Sequence, residues 1–216
     1  MTTSPAVPAF ATRDPAMPDF WSERFEKRFM PWDRAGVPEQ LMQFVAAAPV
    51  PLSTLVPGCG AGHEVGFLAE SGWPVQGIDF SASAVGAAQA ALGHLAAHVV
   101  QADFFTHTPP QRLQLIYERA FLCALPPMTW PKVIGRYGLL LPPGALLAGY
   151  FFFDSTAKGP PFGADPQQLD ALLSQQFERI DDQPVADSVA AFAGRERWQV
   201  WRRLPNKFST REITIA

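Results

Sequence analysis

The chain has 216 residues, of which 48% are hydrophobic and only 17% charged, with a formal net charge of -3. High hydrophobicity with little net charge excludes a disordered chain, and two cysteines, Cys59 and Cys123, are too few for a disulfide scaffold of this length. The near-neutral balance gives no overall attraction to nucleic acid or anionic lipid.

Residues 1–18 hold Pro5, Pro8, Pro15 and Pro18 without a basic start or an apolar run. They read as a mobile arm rather than a leader peptide, which leaves residues 19–216 as one domain in a reducing cytoplasm. Phe20, Trp21, Arg24, Phe25, Arg28 and Phe29 form an apolar–basic helix that stops before Pro31. A second short helix covers residues 39–47. An apolar strand over 53–57 leads into a glycine loop and a helix over 64–71, ended by Gly72. A strand over 75–78 is followed by an alanine-rich helix over 81–97 with Ser81 as its N-cap.

Strands over 98–101 and 113–117 come next. A helix over 131–141 carries its proline in the first turn, and a long apolar strand covers 145–153. The uncharged run from Tyr137 to Phe153 is broken by Pro142, Pro143 and Gly144, so it reads as helix end, turn and strand rather than a membrane span. A helix over 165–176 and strands over 177–185 and 197–204 complete the chain. Continuous apolar strands alternating with helices predict a doubly wound, mostly parallel sheet covered on both faces. The last two strands fit an antiparallel hairpin at its edge, for about seven strands in all.

The chemistry is concentrated in Leu55-Val-Pro-Gly-Cys-Gly-Ala-Gly-His-Glu64. Glycines 58, 60 and 62 stand between a strand and a helix, where a ligand can approach bare backbone and helix N-terminal N–H groups. Asp79 ends the next strand, 21 residues after Gly58, where such a sheet presents a carboxylate to ribose hydroxyls. A dinucleotide fingerprint would need glycine at 63, and His63 stands there.

The G-x-G-x-G spacing, Asp79 and Asp103-Phe104 resemble the Rossmann-like S-adenosylmethionine-dependent methyltransferases. A narrower resemblance is to the thiopurine S-methyltransferase family, which includes plant thiol and halide methyltransferases. It rests on Phe20-Trp21, Pro31-Trp32-Asp33, Val56-Pro57-Gly58-Cys59-Gly60, the stretch Glu118 to Pro127, Gly159 to Phe162 and Gly194 to Trp198. The resemblance covers about residues 20–204.

It implies that Gly58, Gly60 and Gly62 wrap the methionine portion of S-adenosylmethionine. Asp79 would hold the ribose, with Asp103 and Phe104 near adenine. Trp21 would pack against the cofactor and Trp32 would roof the site. Pro57, Phe80, Ser81 and Glu118 fall on the cofactor side as well, and Arg119 faces a small-molecule methyl acceptor. S-adenosylhomocysteine would be the product.

The implied reaction carries a methyl group to a soft nucleophile: a thiol, thiopurine, halide or selenium or tellurium compound. No nucleic acid, membrane or metal is expected, and the chain is expected to be monomeric. Gln114 and Trp130 depart from the family pattern. They keep open a protein that binds the cofactor without catalysis; a small-molecule O- or N-methyltransferase of the same fold is a further alternative, and a nicotinamide-dependent oxidoreductase is opposed by His63. Arg119 could instead pair with Glu118 or with a helix end. His63 reads as a helix cap rather than a base, and Tyr117 as either core or cleft wall. His94 and His98 read as a solvated pair. The acidic segment 165–187 and the basic segment 195–216 read as neighbours at the sheet edge.

Overall fold

The computed structural model describes residues 8–155 and 158–206. Pro5 of the expected arm and the basic tail residues Lys207 and Arg211 lie outside that set. Six α-helices and seven strands are described, with three short 3-10 turns between them. In chain order they are α1 (Pro18–Glu26), α2 (Glu39–Ala47), β1 (Thr54–Pro57), α3 (His63–Glu70), β2 (Val75–Asp79), α4 (Ala82–Leu92), β3 (Val99–Gln101), β4 (Leu115–Arg119), α5 (Trp130–Leu140), β5 (Leu146–Phe152), α6 (Pro166–Leu173), β6 (Phe177–Pro184) and β7 (Glu196–Arg203).

The strands form one sheet in the order β3-β2-β1-β4-β5-β7-β6; every pairing is parallel except those of β7, which runs antiparallel to both β5 and β6. Successive strand residues alternate between two cores because side chains alternate across a strand. Leu55, Ile116, Leu147 and Phe151 pack with α5 and α6; Val56, Leu115, Tyr117, Ala148 and Tyr150 pack with α2, α3 and α4. Both faces are therefore apolar, as the continuous runs predicted. β6 is mostly exposed on its outer face, and its acidic residues pair with the basic residues of β7 through Arg197–Asp182 and Arg202–Glu178.

Of the boundaries that differ from the sequence expectation, three have a clear local cause. The alanine-rich helix stops at Leu92 because Gly93 takes a positive φ of 56°, and a 3-10 turn carries the chain to His98. His98 is then held by Nδ1 against the Val75 carbonyl, 2.9 Å away. β4 runs two residues later than expected. Its charged end, Glu118 and Arg119, enters the sheet by pairing with Gly149 and Tyr150 of β5. α1 ends at Glu26 because Arg28 adopts a left-handed φ of 52° and the Phe29 N–H turns back to the Arg24 carbonyl.

Residues 8–17 of the expected arm lie against α1. The Glu23 carboxylate accepts hydrogen bonds from the Ala11 and Thr12 amides and the Thr12 hydroxyl, and the Trp21 indole donates to the Pro15 carbonyl at 2.8 Å.

Candidate active site

The strand order reverses between β1 and β4, and a doubly wound sheet opens a crevice outside the strand C-termini at such a point. A cavity of about 620 Å³ occupies that place. This is within the range of small-molecule sites. Its floor comes from the loops after β1, β2, β3 and β4, and its roof from residues 10–13, α1 and the segment 31–36.

The cofactor side is built largely from backbone. Gly58 and Gly60 sit at φ 59° and 51°, in the left-handed region where a side chain would be strained. A Cβ on Gly58 would also stand 2.7 Å from the Phe121 ring. Asp79 is buried. Its carboxylate accepts the Gly60 amide at 3.1 Å and the Ser81 amide at 2.9 Å, which ties the loop to the end of β2. The carboxylate keeps acceptor capacity for ribose hydroxyls. Burial raises its pKa above the usual carboxylate value. Phe80, Asp103 and Phe104 continue this wall, and Asp103 is braced by the Phe105 amide at 2.9 Å.

Overhead, Trp21, Trp32 and Phe25 make an aromatic roof. Trp21 meets Trp32 edge-on at 5.3 Å, and the Phe25 ring comes close above Gly60. Bare glycine backbone, a fixed carboxylate and ring surfaces together fit an adenosyl sulfonium.

The opposite wall is built from charge. Arg119 ends β4 with its side chain 9% exposed. Its guanidinium lies 3.2 Å from Glu196 and 3.9 Å from Glu64, and stacks 4.5 Å over the Tyr150 ring. Glu118 is not its partner. Nη2 of Arg119 is buried without a hydrogen-bond partner. Beside it, His63 Nε2 stands 3.2 Å from Asp33 Oδ1. Asp33 is held below the usual carboxylate range, first by this hydrogen bond. The same bond raises the His63 pKa against the opposing effect of burial. Glu64 is pushed up by burial, with Arg119 opposing. Burial also raises both thiols in the wall, Cys59 and Cys123, so neither is a ready nucleophile.

Nine of the expected site residues meet in this cavity: Trp21, Trp32, Gly58, Gly60, Asp79, Phe80, Asp103, Phe104 and Arg119. Four do not line it. Pro57 is buried at the end of β1. Gly62 sits at the N-terminus of α3, where a Cβ would press on Ala88 and Leu92 of α4, so its task is helix packing. Ser81 caps α4 by accepting from the Ala84 amide, and meets the Ser22 hydroxyl at 2.9 Å. Glu118 lies beneath the cleft, accepting the Phe121 and Leu122 amides at 2.9 and 2.8 Å, because it anchors the turn that follows β4.

Other readings are corrected as well. His63 pairs with Asp33 instead of capping its helix; the capping position is Gly62. Tyr117 is wholly buried in the core. Trp130 is buried and donates to the Leu122 and Leu125 carbonyls, so this departure braces the turn and does not touch the cleft. Gln114 accepts from the Ser53 amide at 3.1 Å, before β4 begins, at the end of the sheet away from the cleft. Sequence reasoning missed Asp33 as a partner, along with Glu64, Phe25 and the roof residues Phe10, Thr12 and Arg13. The His-Glu pair that closes the glycine motif was the available signal.

Fold and cleft together define a Rossmann-like methyltransferase. Solved structures agree on the fold: an N-methyltransferase from Bradyrhizobium japonicum bound to S-adenosylhomocysteine has a TM-score of 0.63 at 20% identity, covering 88% of this chain and 94% of that one. Magnesium protoporphyrin IX methyltransferase from Synechocystis has a TM-score of 0.68 at 15% identity, covering 86% and 97%.

The chain belongs to the thiopurine S-methyltransferase (TPMT) family, whose profile matches residues 16–204. Thiocyanate methyltransferase 1 of Brassica oleracea is 30% identical over 193 residues, 85% of this chain and 84% of its own length. Thiopurine S-methyltransferase of Shewanella sp. strain MR-4 is 28% identical over 182 residues, 74% and 84% of the two chains. The protein is an S-adenosylmethionine-dependent methyltransferase.

Proposed function

We propose that the enzyme methylates a small soft nucleophile held against Arg119: a thiol, thiopurine, halide or selenium or tellurium compound. The supporting observation is the guanidinium itself. It is fixed by Glu64, Glu196 and Tyr150, and it keeps a buried Nη2 unpartnered in a wall shared with the cofactor loop. The relatives named for thiocyanate, thiol and thiopurine fit the same acceptor class.

When bound, S-adenosylmethionine supplies a methyl group on a positively charged sulfur. The chain's own contribution is alignment and electrostatics. Arg119 favours the anionic form of an acceptor and lowers its pKa. Trp21, Trp32 and Phe25 offer aromatic surfaces to a cation. The cleft would hold donor and acceptor side by side, and orientation of that kind can remove about 7–11 kcal/mol from a barrier.

No described helix is long and apolar enough to cross a membrane. The enzyme works as a monomer on small molecules in a reducing cytoplasm, with no nucleic acid partner; two free, buried cysteines suit that compartment. Residues 19–216 act as one domain.

The test is a panel of thiols, thiopurines, halides, selenium and tellurium oxyanions and phenols, scored by S-adenosylhomocysteine release. Turnover is expected on the sulfur and halide acceptors. Arg119→Ala with wild-type turnover and acceptor affinity contradicts the assigned role. By calorimetry S-adenosylhomocysteine is expected to bind and NAD(H) is not; the reverse sinks the reading.

A further inference from the structure

We propose that Asp33 and His63 form a proton-accepting pair that ionises a neutral thiol before methyl transfer, so that the enzyme uses protonated thiols and not only acceptors that arrive as anions. This rests on the soft-acceptor reading and deepens it by naming the acceptor's protonation state.

The geometry is that of an oriented base. Asp33 Oδ1 accepts from the Ala35 amide at 2.8 Å, which fixes the carboxylate in its own turn, and lies 3.2 Å from His63 Nε2. Ala35 is held at a left-handed φ of 53°, a conformation alanine adopts only at a cost, so the segment presents Asp33 at the expense of backbone strain. In the neutral ring, a carboxylate on one nitrogen holds the N–H there and leaves the lone pair on the other. That other nitrogen is Nδ1, which makes no hydrogen bond among the described residues. The ring and the carboxylate both belong to the cavity wall that contains Arg119.

Two further charged groups face the pair. Glu64, next to His63 on α3, favours the protonated ring, and Arg119 at the end of β4 keeps Asp33 ionised. The result is an imidazole more basic than a free one, chiefly through its bond to Asp33.

In the proposed step the acceptor S–H proton moves to Nδ1 and its electron pair stays on sulfur. The thiolate, held by Arg119, attacks the methyl carbon. A new carbon–sulfur bond forms as the sulfonium's bond to methyl breaks, with that pair remaining on the departing sulfur. The thioether and S-adenosylhomocysteine result, and the imidazolium returns its proton to water. The size of the gain follows from ionisation. A cysteine-type thiol with a pKa of about 8.5 is about 3% thiolate at pH 7, so supplying the base is worth up to about 30-fold. An acceptor that is already an anion gains nothing from it.

The test compares N-acetylcysteine amide with thiocyanate. In His63→Gln the thiol-to-thiocyanate ratio of kcat/KM falls about tenfold or more at pH 7. In Asp33→Asn the His63 ring, followed by NMR, titrates at lower pH than in the wild type, and the rising limb of the thiol pH profile moves with it. Loss of equal size on both acceptors overturns the proposal, because a cation that merely attracts anions would serve thiocyanate as well. A matching loss of S-adenosylhomocysteine affinity overturns it too, as would a ring titration that does not move in Asp33→Asn. If the wild type turns over neither acceptor while still binding S-adenosylhomocysteine, the soft-acceptor reading itself fails and the proposal falls with it.

Discussion

The wall that carries Gly58, Gly60, Asp79 and Asp103 and the wall that carries His63, Glu64 and Arg119 are made by different means. The first is local. Each of its residues sits at the C-terminal end of the strand just before it, and backbone amides hold its one buried carboxylate. The second is assembled from a distance. Arg119 meets Glu196, 77 residues further on, and His63 meets Asp33 from a different segment. A backbone-built wall fails by losing ligand, because its scaffold is the sheet. A charge-built wall fails by losing stability as well, because each charge is buried on the strength of its neighbour.

That contrast can be broken experimentally. The largest effect is expected for Arg119→Met. It leaves Glu64 and Glu196 without their cation, and removing one partner of a buried pair costs about 3–5 kcal/mol. Urea denaturation measures this; a loss below about 1 kcal/mol would show that the wall is not held by charge. Asp79→Asn probes the other wall. It removes a charged acceptor worth about 1.5–3 kcal/mol, so S-adenosylhomocysteine should bind roughly 10- to 100-fold more weakly by calorimetry, with acceptor KM little affected.

Glu118 sits under the turn that joins the walls, and burial raises its carboxyl to about 7 against the hydrogen bonds from Leu122 and Phe121. Between about pH 4.5, its unfolded value, and about 7, the folded chain binds a proton that the unfolded chain lacks. This group's contribution to stability therefore falls as pH rises across that window and is flat above it. Glu118→Gln should remove that fall. Thermal unfolding at pH 5.5 and pH 8 should then give a smaller difference in Tm than in the wild type, and an unchanged difference would place the pH dependence elsewhere.

The smallest effect belongs to the roof. Glu23 fastens Ala11 and Thr12, and the bonds it accepts hold its pKa well below the usual carboxylate range, first through Lys27. Glu23→Gln should weaken cofactor binding only a few-fold, since Glu23 fastens the roof segment and does not itself line the cleft. A large loss would mean that the segment 10–13 carries the cofactor rather than covering it.

The same contrast explains what could be read in advance. Glycines spaced for positive φ, an aspartate closing the second strand and apolar runs alternating with helices all act within a few residues, and each was visible. Glu118 and Trp130 were misread because their partners are backbone groups of a turn whose path depends on how β4 pairs with β5. His63 was read as a cap because nothing nearby in the chain reveals that the loop after α1 brings Asp33 to it. The end of α4 at Gly93 was missed because the alanine-rich pattern continues past a single glycine.

By itself the sequence determined the doubly wound sheet, the edge hairpin and the cofactor loop, since hydrophobic period and backbone freedom are properties of neighbouring residues. Only the tertiary structure decided which charges face the acceptor, which rings roof the cleft and which expected ligands are braces beneath it. Those outcomes depend on side chains from distant segments meeting out of water, where an ion pair or a hydrogen bond is decided by position rather than by composition.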